Sequence, residues 1–357
     1  MRASTLRTLR FLRTWLSGPG RVDEREVTVG SFPATVFSPV RGRRSGSTWV
    51  VLHGVTRPGR RHPQLLRFCR ALTRAGGRVV VPEIRDWVEL RLAPEQTVPA
   101  IRAVVDWIGG QEEGGVGLVG FSFGAPQALR AAAHPSLRDH ISGVAGFGGY
   151  CDIHRAVRFQ LTGRHEWRGE ESRIDPDPYG RWIMAGNHLT DIPEHEGARD
   201  VAGALLRLAT IAGDERIAAD SPTMSEHREA LREEIAPSRR ELYDLLARAP
   251  VDSLDPLEAL ADSLSEAALR VTPLLDVRPH LEGLRGPVEL IHGRHDRLIP
   301  YTESHRLAEA LPKEARVRLT VTELFSHTEG RALRAGLAAA GEGWRFFSAL
   351  RRVLGMA

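Results

Sequence analysis

Residues 116–130, VGLVGFSFGAPQALR, decide the fold. A short apolar run, typical of a buried strand, passes through Gly120-Phe121-Ser122-Phe123-Gly124 into a segment with helical periodicity. A serine between two glycines on a strand-to-helix turn is the pattern of a nucleophile elbow. Because this turn is sharp, side chains at the two glycine positions would collide with neighbouring atoms. The serine oxygen is expected at the helix N-terminus, where the helix dipole favours negative charge.

Strand and helix patterns alternate outward from this turn. Two alternating bursts at 26–39 predict a hairpin around Gly30-Ser31. Apolar runs predict further strands at 47–54, 78–84, 141–149, 287–293 and 316–324, and helical periodicity predicts helices at 62–77, 98–110, 124–134 and 302–312. This alternation indicates an α/β fold, a mostly parallel, doubly wound sheet with helices on both faces.

The alternation stops between about 151 and 280. Four stretches of helical periodicity follow a Gly- and Pro-rich stretch, 163–182, that shows little regular pattern. We therefore expect an N-terminal basic amphipathic helix (1–20), an α/β core (21–150 and 281–357), and an inserted helical cap (151–280) without a second sheet. An insertion of this length is far longer than an ordinary connection, and we expect it to cover the carboxyl ends of the strands.

Two further strand ends carry side chains that suit nucleophilic catalysis, and the site of an open α/β sheet lies at such ends. Asp296 follows the predicted strand 287–293, and His327 follows 316–324. His327 would take the proton of Ser122, and Asp296 would orient the imidazole. Asp152, just past the strand 141–149, is a competing candidate for the acid.

The strand 47–54 ends in Leu52-His53-Gly54-Val55. Acyl transfer needs two N–H donors aimed at the developing oxyanion. We expect these donors to be the backbone N–H groups of Phe123, the residue after the serine, and of Val55. Gly54 would let the backbone pass close to the substrate, and His53 is interpreted as a structural residue of the loop.

With these motifs in the order Ser122, Asp296, His327, the chain resembles the α/β-hydrolase superfamily over about 26–150 and 285–357. The resemblance implies a serine esterase or lipase-like enzyme with a Ser–His–Asp triad and a cap. The chain has no HGGG oxyanion loop, and its nucleophile is serine rather than the aspartate of haloalkane dehalogenases and epoxide hydrolases. The insertion resembles no cap that would identify a substrate.

Cofactor and metal sites are the alternatives for two of these motifs. The run 115–120 spells G-x-G-x-x-G, but it precedes and forms a strand instead of opening a helix, which argues against a dinucleotide site. His292 and His295 lie near Asp296 and His327, yet a triad explains the last two more simply than a metal cluster does. We therefore expect neither a cofactor nor a metal ion.

The leading functional hypothesis is hydrolysis of a small-molecule carboxylic ester through an acyl-enzyme. An amidase, peptidase or thioesterase would use the same residues, and a non-catalytic ligand-binding protein is the alternative from another class. Fold alone does not decide between these classes. The oligomeric state and the physiological substrate stay open.

Charge and cysteine content limit the partners and the cellular compartment that we expect for this protein. The chain has 49 basic and 45 acidic residues, interleaved along its length, so we expect no nucleic-acid partner. Two cysteines cannot form a disulfide framework, and no apolar run of transmembrane length or secretory signal occurs. We expect a cytoplasmic protein.

The first 17 residues carry four arginines and no acid, with Leu6, Leu9, Leu12 and Leu16 at helical spacing. Two interpretations stay open for this basic amphipathic helix. It docks on its own domain, or it makes a peripheral contact with a membrane. The first is our expectation, because the four leucines form a stripe narrow enough for one groove of the core.

Overall fold

A computed structural model describes residues 2–18, 21–40, 47–109, 115–247, 255–324 and 337–356. Ten strands lie in these ranges: β1 (Val22–Val29), β2 (Phe32–Pro39), β3 (Thr48–Leu52), β4 (Arg78–Pro82), β5 (Val116–Phe121), β6 (Ile141–Phe147), β7 (Arg164–Trp167), β8 (Glu170–Arg173), β9 (Gly286–Gly293) and β10 (Ala315–Thr322). The helices are α1 (Arg2–Ser17), α2 (Pro63–Arg74), α3 (Arg85–Val88), α4 (Thr97–Ile108), α5 (Gly124–Ala133), α6 (Ile153–Thr162), α7 (Pro178–His188), α8 (Arg199–Glu215), α9 (Met224–Glu233), α10 (Arg240–Ala247), α11 (Asp255–Val271), α12 (Tyr301–Ala310) and α13 (Leu337–Val353).

Eight of the strands form one sheet in the order β1-β2-β4-β3-β5-β6-β9-β10. The hairpin of β1 and β2 is antiparallel and pairs antiparallel with β4, whereas all later neighbours are parallel. The carboxyl ends of β3, β5, β6, β9 and β10 therefore meet at one edge of the sheet. The predicted fold class, a mostly parallel sheet with flanking helices, is confirmed.

Alternate side chains of the central strands enter two separate cores. In β3, Val50 and Leu52 pack into the core that includes α4 and α5, whereas Trp49 and Val51 pack into the core that includes α2 and α13. Because both faces of these strands are buried, the strands are continuous apolar runs instead of alternating ones. This explains why they could be recognised in the sequence.

Between β6 and β9, residues 148–285 form an insertion that contains helices α6 to α11. The prediction that this insertion holds no second sheet is wrong, because β7 and β8 pair as a two-stranded antiparallel hairpin. Arg168 and Gly169, with φ of 54° and 83°, form its two-residue turn, as the twist of a tight hairpin demands. Each strand has only four residues, and every residue of β8 is exposed, so no apolar alternation marks them.

Helix α1 packs on α2 and α13, but not through the face that we predicted. Thr8, Phe11 and Thr14 are the buried side chains, whereas Leu6, Leu9 and Leu16 are 55%, 52% and 64% exposed. The threonine hydroxyls donate to backbone carbonyls one turn earlier, which satisfies them inside the packed face. Three of the four leucines of the expected stripe therefore point away from the core, whereas Leu12 is half-buried and packs against it. In the described part of the chain, every helix is too short or too polar to cross a bilayer.

Candidate active site

Ser122 occupies the sharp turn between β5 and α5. Its φ is 53°, in the left-handed region that residues with a Cβ rarely adopt. The turn is held from both sides, because the Ser122 N–H donates to the Phe147 carbonyl of β6 (2.8 Å) and the Ser122 carbonyl accepts from the Ala125 N–H (2.9 Å). The half-buried serine side chain thus stands at the first turn of α5, where backbone N–H groups lack intrahelical acceptors.

The two glycines of the pentapeptide are required by the packing of this turn. A Cβ on Gly120 would lie 2.2 Å from the Gly124 carbonyl oxygen, and a Cβ on Gly124 would lie 2.8 Å from the His53 carbonyl oxygen. Both distances are far below van der Waals contact. The turn can therefore be this tight only with glycine at these positions.

The loop after β3 passes directly beside the serine. A Cβ on Gly54 would lie 3.3 Å from the Ser122 Cβ and 3.8 Å from its Oγ, so the loop backbone borders the hydroxyl. Val55 and Phe123, the expected oxyanion donors, are both largely buried. Trp87 packs edge-on against Phe123 at 5.1 Å between ring centroids and so helps to hold the elbow.

His53 holds this loop in place and does not face solvent. Its Nδ1 lies 2.7 Å from the Gly54 carbonyl oxygen, and its Nε2 accepts from the Ile84 N–H at 3.1 Å. A carbonyl only accepts and an N–H only donates, so these two bonds fix the neutral tautomer with its proton on Nδ1. Burial lowers the pKa of His53 to about 4, against an opposing effect of the Gly54 bond. His53 is therefore neutral at physiological pH, which fits the structural role expected of it.

Asp296 lies fully buried in the loop that follows β9. Its Oδ1 accepts from the N–H groups of Leu298 (2.9 Å) and Ile299 (3.1 Å), and its Oδ2 lies 3.4 Å from the Nε2 of His292. Two N–H donors stabilise the ionised carboxylate at this position. The chain leaves β10 at Thr322, which pairs with the last residue of β9. His327, the expected base, lies outside the described residues.

Comparison with known proteins identifies the architecture around this site. No family model matches the sequence, and none of the curated proteins matches it. Among solved structures, haloalkane dehalogenase DbeA from Bradyrhizobium elkani USDA94 is similar over 94% of this chain and 99% of its own, with a TM-score of 0.51 and 15% identity. The chain has the α/β-hydrolase fold.

Two further solved structures are similar at lower scores. The esterase Pf2001 from Pyrococcus furiosus has 14% identity and a TM-score of 0.48 over 93% of this chain and 91% of its own. Proline iminopeptidase from Mycobacterium smegmatis has 15% identity and a TM-score of 0.46 over 93% of this chain and 98% of its own. At these identities the likeness concerns the fold and not the reaction.

Asp152, the competing acid in this α/β-hydrolase fold, has other partners. Its Oδ1 caps helix α6 by accepting from the His154 N–H (2.9 Å), and its Oδ2 pairs with Arg278 (2.8 Å). Both carboxylate oxygens are thus committed to the insertion. Among the described residues, no three His, Cys, Asp or Glu side chains gather closely enough to hold a metal ion.

The insertion reaches two loops of the site through residues that the sequence did not single out. The Tyr179 hydroxyl of α7 lies 3.4 Å from the Val55 carbonyl oxygen, to which it donates. Arg297, the neighbour of Asp296, pairs with Asp220 at 2.6 Å. No motif marks Tyr179 or Arg297 in the sequence, because their contacts join parts of the chain that are more than 70 residues apart.

Proposed function

We propose that this protein is a serine hydrolase that cleaves carboxylic esters through an acyl-enzyme intermediate. The observation that carries the proposal is the strained backbone of Ser122, together with the passage of the Gly54 backbone beside its hydroxyl. Strain of this kind persists only where the surrounding structure enforces it, and it concentrates at functional sites. A haloalkane dehalogenase reaction is not proposed, because serine and not aspartate stands at the elbow.

In the proposed reaction, His327 accepts the Ser122 proton while the serine oxygen attacks the ester carbonyl carbon. The N–H groups of Val55 and Phe123 stabilise the oxyanion of the tetrahedral intermediate. The carbon–oxygen bond of the ester then breaks, and the imidazolium gives its proton to the departing alcohol. Water, deprotonated by the same histidine, attacks the acyl-enzyme and releases the carboxylic acid and the free serine.

We assign the acid of the triad to Asp296 and not to Asp152. The assignment is supported by the burial of Asp296 in a loop at the carboxyl end of β9, and by the partners that occupy both oxygens of Asp152. D296N is expected to slow turnover by up to roughly 10⁴-fold, because the histidine would adopt the wrong tautomer. D152N is its matched control and is expected to retain activity. The reverse result would assign the acid of the triad to Asp152, which follows β6.

The test of the function itself combines covalent labelling with a substrate series. A fluorophosphonate is expected to label the wild-type protein at Ser122, and S122A is expected to lose labelling and nearly all turnover. Hydrolysis of esters of increasing acyl length then measures the size of the pocket. Faster turnover of matched thioesters or amides would reassign the substrate class, and absence of labelling in folded protein would favour a non-catalytic ligand-binding role.

We further propose that the insertion serves as a cap that shapes the acyl pocket. Two contacts between the insertion and the site loops support this proposal. The Tyr179 hydroxyl donates to the Val55 carbonyl, and the side chain of Arg297, the neighbour of Asp296, donates to the Asp175 carbonyl of the insertion. A cap of this kind excludes water from the reaction without contributing atoms to the bonds that change.

A further inference from the structure

Helix α1 is fixed on the body of the protein by one face. Phe11 packs edge-on against Phe68 of α2, with 5.4 Å between ring centroids, and Arg67 of α2 lies over the Trp15 ring at 4.8 Å. The Arg7 guanidinium donates to the Leu354 carbonyl just beyond α13 (3.3 Å). These contacts set the rotation of the helix about its axis, so the identity of its outward face is determined.

The outward face of α1, defined here by Leu6, Leu9, Arg10, Arg13 and Leu16, combines apolar and basic side chains. Positions 6, 9, 13 and 16 follow helical spacing and lie opposite the packed positions 8, 11 and 14. All five side chains are exposed. Single exposed leucines are ordinary on a protein surface. Here, however, one helix holds three of the seven large hydrophobic side chains that are exposed in the described residues.

The layer of helices around this face is strongly basic. Helices α1, α2 and α13 carry ten arginines and one carboxylate, Glu342, whereas the net charge of the whole chain is only +4. Among the described residues, carboxylates pair with three of these arginines, in the pairs Arg70–Glu24, Arg345–Glu342 and Arg352–Glu289. This excess of arginines over carboxylates therefore produces a positive electrostatic potential on this side of the molecule.

We propose that the outward face of α1 docks reversibly on a membrane surface rich in anionic phospholipids. The leucines would enter the boundary between head groups and acyl chains, while the arginines extend to the lipid phosphates. A second copy of the chain fits this face less well. In a two-fold contact the same arginines would face their own symmetry mates without any acid on α1 to pair with. An anionic bilayer satisfies both kinds of side chain.

The test is sedimentation of the full-length protein with vesicles. We expect vesicles of phosphatidylcholine with phosphatidylglycerol to bind the protein at least about tenfold more strongly than phosphatidylcholine alone, and the binding to weaken as salt is added. The triple variant L6S/L9S/L16S and the double variant R10E/R13E should each lose at least about tenfold in partitioning. Because all five side chains are exposed, both variants should keep the wild-type melting temperature.

Matched controls separate this surface from general effects of polarity and charge. V271S replaces an equally exposed apolar residue on α11, and R168E/R173E makes the same charge change on the hairpin of the insertion. Both controls should bind vesicles like the wild type. The proposal is overturned if the wild type shows no preference for anionic vesicles, or if the controls lose as much binding as the α1 variants. It is also overturned if sedimentation velocity shows that the wild type is a dimer and that L6S/L9S/L16S is a monomer which still binds vesicles.

Discussion

At the scale of single residues, the position of Ser122 on the strained turn lowers the stability of the protein. A left-handed backbone costs a residue with a Cβ about 1–2 kcal/mol, whereas glycine adopts it freely. We therefore expect S122G to be more stable than S122A by about 1 kcal/mol in urea unfolding, although neither should turn over substrate. If the two variants unfold at the same urea concentration with the same slope, the turn stores no strain.

His53 should make stability depend on pH. Its folded pKa of about 4 lies below its ordinary value of 6.5, so the unfolded chain takes up a proton first as the pH falls. The free energy of unfolding should therefore fall as pH drops from about 6.5 towards 4. The His53 contribution to this loss is about 2 kcal/mol between pH 7.5 and pH 5.

The measurement is urea unfolding of the wild type and H53N at both pH values. H53N should be less stable than the wild type at pH 7.5, since the bond to Ile84 is lost, and its stability should fall less on acidification. An equally steep fall in H53N would assign the pH dependence to other groups.

At the scale of elements, helix α7 contacts the loop after β3 through the hydroxyl of Tyr179. Y179F removes the bond to the Val55 carbonyl and should lower kcat by up to about tenfold, the range of a single neutral hydrogen bond. Fluorophosphonate labelling should persist, because the elbow is untouched. The matched control is Y243F, since the Tyr243 hydroxyl donates to the Arg228 carbonyl within the insertion. Equal effects of the two variants would show a general response to loosening the insertion.

The elements differ in how far the sequence predicts them, for physical reasons. The strands β3 to β6 are apolar on both faces, and the collision that requires glycine at position 120 lies within five residues of it, so both signals are local. The collision that requires Gly124 involves the distant His53 carbonyl, and the G-x-S-x-G pattern marks that position without revealing the reason. Helix α7 begins with Asp177 as its N-cap and Pro178 in its first turn, a signal that was present but hidden in a Gly- and Pro-rich stretch.

The rotation of α1 is the opposite case, because the sequence alone could not determine it. Its leucines predict one buried stripe, but the buried side chains are Phe11 and two threonines, whose hydroxyls donate to backbone carbonyls of the same helix. The choice depends on Phe68 and Arg67, more than 50 residues away. The contact of Tyr179 with Val55 could not be predicted from the sequence for the same reason, because the two residues lie far apart in the chain.

At the scale of the whole molecule, the insertion and the sheet share one apolar core. A single cluster of buried residues contains Leu118 of β5 and Val288 of β9 together with Leu205, Leu208 and Leu264 of the insertion. A shared core of this kind couples the unfolding of the two parts. If the insertion is a cap, substrate must enter by local movement of loops and not by separate unfolding of the insertion.

This coupling predicts one cooperative unfolding transition for the protein. Leu208 is fully buried in the insertion and Leu129 is fully buried in α5, so L208A and L129A should each cost about 2–5 kcal/mol and shift the same calorimetric peak. Loss of Ser122 labelling on heating should coincide with that peak in both variants, because the strained turn at Ser122 is held only while the surrounding core is folded. Two resolved peaks, with L208A moving only one of them, would show that the insertion unfolds by itself. A cap that opens by unfolding would then explain substrate entry better than loop movement.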